Sequence, residues 1–226
     1  YINTPTSQTN MKEIIFITKE QAKELLKQKI KENPNHIKNP EGFIDHCINT
    51  GEIAYKTALK ILEKYPTLKI SPETLRIEGY MHDLGKIEEG HRYHEIGTAY
   101  LILTKGDTEL KLITGGTQEK RQEILQEMAL ACLSDFAIYE ELGEENFPKK
   151  AIYQDIIKDF LERINFLRKE LTPTISELTL PNTLNRQIAV YADLTNINGK
   201  TSTVEERIKE MTLRCSDSNS PYYDPI

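Results

Sequence analysis

The stretch SPETLRIEGYMHDLGK, residues 71–86, decides how the chain reads. Ser71 before Pro72 marks the entrance of a helix: a capping residue, then a proline at the first helical position, where its missing N–H costs nothing. At about 100° per residue, Leu75, Gly79 and His82 share one face, while Ile77, Tyr80, Met81 and Leu84 cover most of the remainder. The pattern predicts a helix over 72–84 that is buried nearly all round. His82 and Asp83 then emerge from an apolar setting, where a lone carboxylate is costly unless it is paired or bound to metal.

Helical punctuation continues on both sides. Thr18 and Gln21 have capping-box spacing ahead of a run that stops at Pro34. A second helix is bracketed by Pro40 and Pro66, a third begins at a cap on Thr117, and Thr203 with Glu206 repeats the capping box near the C-terminus. Strand signal is confined to EIIFI at 13–17, too little for a sheet. The chain of 226 residues is long enough to bury a substantial core and has no fixed-period repeat or linker. It reads as all-α, a single compact multi-helix bundle over 11–215. Met11 reads as a start, which makes 1–10 a leader or expression remnant, disordered, and 216–226 a mobile tail.

The bulk numbers exclude several classes. The net charge of −6 and the lack of a long basic run argue against a nucleic-acid polymer as partner. No run of eighteen apolar residues exists to cross a membrane, and no secretion signal opens the chain. Three scattered cysteines without a C-x-x-C pair fit a reducing cytoplasm and exclude a thiolate zinc site.

Two further helices carry polar residues inward. In the 41–65 segment Phe43, Cys47, Ala54, Ala58 and Ile61 define an apolar arc, and His46 lies at its edge, roughly 60° from Phe43. In RQIAVYADLTN, five uncharged residues from Ile188 to Ala192 deliver Asp193 at the end of another core helix. Singly, each is also what a hydrogen-bonded core histidine or a capping aspartate looks like. Jointly, two imidazoles and two carboxylates suit one divalent ion, among Mn, Fe, Ni, Co, Zn and Mg.

The pattern H…HD…D across helices, with the pair set in HDLGK, resembles the HD-domain superfamily of metal-dependent phosphohydrolases, in its HDIG-like branch. HCINTGEIAYKTALKIL resembles the family's first-histidine helix, EGYMHDLGKI its central helix, and HEIGTAYLI the segment that often follows. LPNTLNRQIAVYADLTNINGKTSTVEERIKEM resembles the stretch with the last aspartate, so the likeness covers roughly 40–210. The resemblance implies His46, His82, Asp83 and Asp193 as metal ligands. It implies a hydrolase that attacks a small phosphate ester, a nucleotide by family tendency, with a metal-activated water. Asp83 would also orient that water. Lys86 would meet the phosphate, and His94 would contact it or protonate the leaving group, with His91 and Arg92 as further contacts on the same loop.

The chain also departs from the family. EMALACLSDFAIYEEL, 127–142, lacks the histidines of two-metal members and offers Ser134 and Asp135 instead, so one ion is expected. Two rival readings remain: a catalytically degenerate HD domain that binds ligand or metal as a regulatory module, and a helical interaction protein whose histidines are structural.

Overall fold

The computed structural model describes residues 13–89, 94–134, 183–197 and 200–216. Its first helix, α1 (Lys19–Glu32), starts with the full capping box: Thr18 N–H donates to Gln21 Oε1 at 2.7 Å, and Gln21 N–H to Thr18 Oγ1 at 3.2 Å. Lys29 and Lys31 in the last turn suit the negative end of the helix dipole. Ala22, Leu26 and Ile30, spaced by four, form its buried stripe.

The long helix α2 (Pro40–Lys64) has Pro40 at its first position and Asn39 as its cap, whose side chain accepts from Gly42 N–H at 3.1 Å. Cys47, Ala54 and Ala58 are fully buried, while Phe43 and Ile61 pack at the edges of the core. Against α2 lies α3 (Pro72–Met81), buried from Thr74 to Met81 except at Arg76. Their crossing is backbone on backbone: a Cβ added to Gly79 would stand 2.5 Å from Gly51 Cα, so no larger residue fits without separating the helices.

The helix read from sequence as 72–84 ends earlier. His82 turns its ring back and donates from Nδ1 to Gly79 O at 2.8 Å, which satisfies a carbonyl that the stopping helix would otherwise orphan. After the His82-Asp83 turn, α4 (Leu84–Glu89) begins. Ser71 sits at the N-cap of α3, but its hydroxyl pairs with Thr74 Oγ1 at 2.7 Å and makes no capping bond to the backbone.

Helix α5 (His94–Lys105) packs on α4, with Gly85 allowing close approach: an added Cβ would meet His94 O at 2.1 Å. Then α6 (Gln118–Leu133), capped by Thr117 as expected, lies against α3 and α5. The strand signal at 13–17 resolves into β1 (Ile15–Phe16), paired antiparallel with β2 (Ile113–Thr114) and nothing more. Helix α7 (Leu184–Leu194) packs on α2, α3 and α6 through Ile188, Ala189 and Ala192, which share a small core with Ala54, Ala58 and Leu75. Its outer face carries Tyr191, exposed, so it is a core helix on one side only.

A hairpin of β3 (Asn196–Ile197) and β4 (Lys200–Thr201), not foreseen from the sequence, follows α7 and leads into α8 (Val204–Ser216). The Thr203–Glu206 capping box starts α8, which runs through Ser216, the first residue of the expected tail. The expected leader, 1–10, and tail residues 217–226 lie outside the described residues. The architecture is all-α, and among the described residues no helix is long and apolar enough to cross a membrane.

Candidate metal centre

Three helices converge on one point. The Gly51–Gly79 contact brings the turn of α2 that carries His46 against the end of α3. His46 Nε2 and His82 Nε2 stand 3.2 Å apart, with ring centroids separated by 5.1 Å and planes tilted by 59°. From the end of α7, Asp193 Oδ1 comes within 3.1 Å of His46 Nε2 and 3.3 Å of His82 Nε2.

These separations test whether an ion fits. Atoms about 2.1 Å from one ion stand roughly 3.0–3.4 Å from one another in octahedral or tetrahedral arrangement. The three observed distances, 3.1, 3.2 and 3.3 Å, are of that size. Among the described residues Asp193 Oδ1 is buried and meets no donor in hydrogen-bonding geometry, despite the two nitrogens beside it. An unpartnered carboxylate oxygen and two imidazole nitrogens crowded about a common centre are arranged as ligands are. The Nδ1 donation of His82 to Gly79 O also leaves its Nε2 lone pair aimed at the centre, the usual backing for a ligating imidazole. Among the described residues, His46, His82 and Asp193 are the group that could hold a metal.

Asp83 stands beside this trio. Its Oδ2 is 3.6 Å from His46 Nε2 and 3.5 Å from His82 Nε2, but only 2.6 Å from Lys86 Nζ. Its Oδ1 lies 3.2 Å from His94 Nε2, and the other nitrogen of that ring, Nδ1, lies 3.2 Å from Glu95 Oε2. One carboxylate thus joins the candidate ligand cluster on one side to Lys86 and His94 on the other. Lys86 pairs with Asp83, one turn back.

The electrostatics follow from burial set against charge. Burial works to raise the Asp83 pKa, but His82, Lys86 and His94 outweigh it and hold the carboxyl well below the usual range. Asp193 is likewise held well below, burial being overcome by His46 and His82. Burial would lower the His82 pKa, yet Asp83 and Asp193 push it up to about 10. Lys86 is raised for the same reason: its desolvation is outweighed by Asp83 and Asp193. Around His94, burial and Lys86 lower the pKa while Glu95 and Asp83 raise it, and the balance is upward. The centre is a field that binds positive charge, a proton when nothing stronger is offered.

Access lies on the His46–Asp193 side. Those side chains each keep 18% of their exposure, against 2% for Asp83. Beside the cluster is a partly open cavity of ≈ 20 Å³, space for about one water, bordered by Thr50, Glu78, His82, Cys132 and Asp193.

Of the residues singled out by sequence, His46, His82, Asp83, Lys86, His94 and Asp193 fall in one cluster. His91, Arg92 and Asp135 lie outside the described residues. Ser134 is buried with its hydroxyl donating to Leu130 O at 2.8 Å, a backbone role. Three participants escaped the sequence reading. Glu95 backs His94. Glu78 is buried beside the cavity and accepts from Cys132 Sγ at 3.5 Å. Asn196 is fully buried and bonded to the His46 backbone. Glu78 offered a weak signal, since it is a charge within a helix assigned to the core.

The HD domain family profile matches residues 43–208, well over half of the chain. No significant match was found among curated proteins or among solved structures. HD domains are mostly metal-dependent hydrolases, and the matched span contains all four expected ligands and the cluster that could hold a divalent ion. The chain belongs to the HD domain family.

Proposed function

We propose that this chain is a metal-dependent phosphohydrolase that acts on a small phosphate ester, with a nucleotide as the substrate class. The observation that carries the reading is the spacing of His46 Nε2, His82 Nε2 and Asp193 Oδ1 around one point, beside a carboxylate that also engages Lys86 and His94. His46, His82, Asp83 and Asp193 hold the ion in this account. A divalent ion in such a site supplies Lewis acidity, which activates water near neutral pH and neutralises charge on a phosphoryl oxygen.

The chain's own groups do the rest. Asp83 Oδ2 accepts a hydrogen bond from the attacking water and orients it. Lys86, cationic and 20% exposed, gives a point charge to a phosphate at the mouth. His94 carries a proton between two carboxylates and is placed to hand it to a leaving group. The buried Cys47 and Cys132 accord with a cytoplasmic setting.

The test is phosphate release from a panel of nucleoside mono-, di- and triphosphates and sugar phosphates, after reconstitution with Mn, Co, Zn or Mg in turn. Activity with at least one substrate is expected to require metal. In Lys86→Ala the KM for that substrate should rise about tenfold or more with metal content unchanged; a Lys86 variant that loses metal would show its role to be wrong. One observation favours a second reading, a regulatory HD domain without turnover: the described end of α6 presents Cys132 and Ser134 and no histidine. Stoichiometric metal with no release from any substrate would move the assignment there.

A further inference from the structure

The ligand His46 and the ligand Asp193 come from helices distant in sequence, and one side chain ties them. Asn196, three residues beyond Asp193 and fully buried, sends its amide into α2. Its Nδ2 donates to the backbone carbonyl of His46 at 2.8 Å and to Thr50 Oγ1 at 2.7 Å. Its Oδ1 accepts from Asn49 Nδ2 at 3.2 Å. The network fixes which end of the amide is nitrogen, because a carbonyl can only accept and the opposite contact is an amide donor.

The base of this clamp is itself held. Thr195 N–H returns to Tyr191 O at 3.0 Å and its hydroxyl to the same oxygen at 2.8 Å, closing the end of α7. Ser202 N–H then bonds Thr195 O at 2.7 Å, and Asn196 pairs with Thr201 in the hairpin. A short rigid path therefore runs from Asp193 through Asn196 to the turn of α2 that bears His46. The amide is neutral, so it sets spacing without adding charge to a centre that already balances two carboxylates. A buried amide satisfied at both ends has one geometry, because any slippage of α7 along α2 would leave buried polar atoms unpaired.

We infer that Asn196 is a positioning residue of the metal centre, fixing the distance between His46 Nε2 and Asp193 Oδ1 at which one divalent ion is held. The inference rests on the metal-binding reading above and goes beyond it in naming what sets the site's geometry.

The experiment is competition titration of Co²⁺, and separately Mn²⁺, into metal-free full-length protein, for wild type, Asn196→Ala, Asn49→Ala and Leu26→Ala, with melting temperatures alongside. Leu26 lies in the buried stripe of α1, a helix that carries none of the candidate ligands, and reports what destabilisation alone does to affinity. Asn196→Ala is expected to bind each ion about 10–100-fold more weakly, Asn49→Ala several-fold more weakly, and Leu26→Ala as wild type does. Wild-type affinity in Asn196→Ala, or an equal loss in Leu26→Ala, overturns the inference while leaving the metal reading intact. Should Asn196→Ala fail to fold, unchanged affinity in Asn49→Ala overturns it. Absence of binding by wild type removes the metal reading and this inference together.

Discussion

Helices α3 and α7 both deliver candidate ligands to the same point, and they are held in place by different physics. Nearly every residue of α3 from Thr74 to Met81 is buried, and its closest neighbour touches it backbone to backbone at Gly51 and Gly79. His82 and Asp83 are positioned because the helix before them cannot move within a close-packed core. Helix α7 buries one stripe, leaves Tyr191 47% exposed, and relies on the polar ties around Thr195 and Asn196. Packing sets one half of the site and hydrogen bonds set the other. Damage to α3 should therefore be felt as loss of fold, and damage to the end of α7 as loss of metal.

The largest effect is expected where both roles meet. Asp83→Ala removes a proposed ligand and leaves Lys86 and His94 without their shared carboxylate. Metal retention and turnover should vanish, and stability should fall by up to about 3–5 kcal/mol, less to the extent that water reaches Lys86. Full activity in that variant would sink the site assignment. Next comes Leu75→Ala in α3, with an expected cost of about 2–5 kcal/mol in denaturant unfolding. At the other extreme, Tyr191→Ala on the outer face of α7 should stay within about 0.5 kcal/mol of wild type. Equal costs at these two positions would erase the distinction between the helices.

The charge balance sharpens the comparison further. In metal-free protein the His82 pKa is raised from 6.5 to about 10, so protonated His82 contributes stability in full below pH 6.5. That contribution is lost as pH climbs from 6.5 towards 10. In the metal-loaded protein the ion takes the proton's place and the alkaline loss should disappear. Unfolding curves at pH 7, 8.5 and 10, with and without metal, read this directly. A metal-free protein whose stability is flat across that range would contradict the assigned field.

Much of this was legible in the sequence. The prolines at 40 and 72, the cap at Thr117 and the boxes at Thr18 and Thr203 are local signals, and local signals survive folding. The apolar arc of the 41–65 segment placed His46 at its edge, and the run from Ile188 to Ala192 delivered Asp193 at a helix end, because apolar patterning is a property of a segment alone. The early stop of α3 was hidden because it depends on His82 turning back to Gly79 O, a choice that apolar patterning through Leu84 masks. The β3–β4 hairpin had a signal in Asn198-Gly199, a dipeptide favoured in tight hairpins, but its strands are too short to show alternation. Asn196 and Glu95 could not be found at all. Their meaning lies in partners 150 residues away or on the far side of an imidazole, and a polar residue near a helix end reads as a cap or a solvated surface.

The most direct measurement of the central claim is elemental mass spectrometry of protein purified without chelator, wild type beside Asp193→Ala. The account predicts about one equivalent of a divalent metal in wild type and little or none in the variant. A wild-type protein that holds no metal, even after reconstitution with several divalent ions, would contradict it.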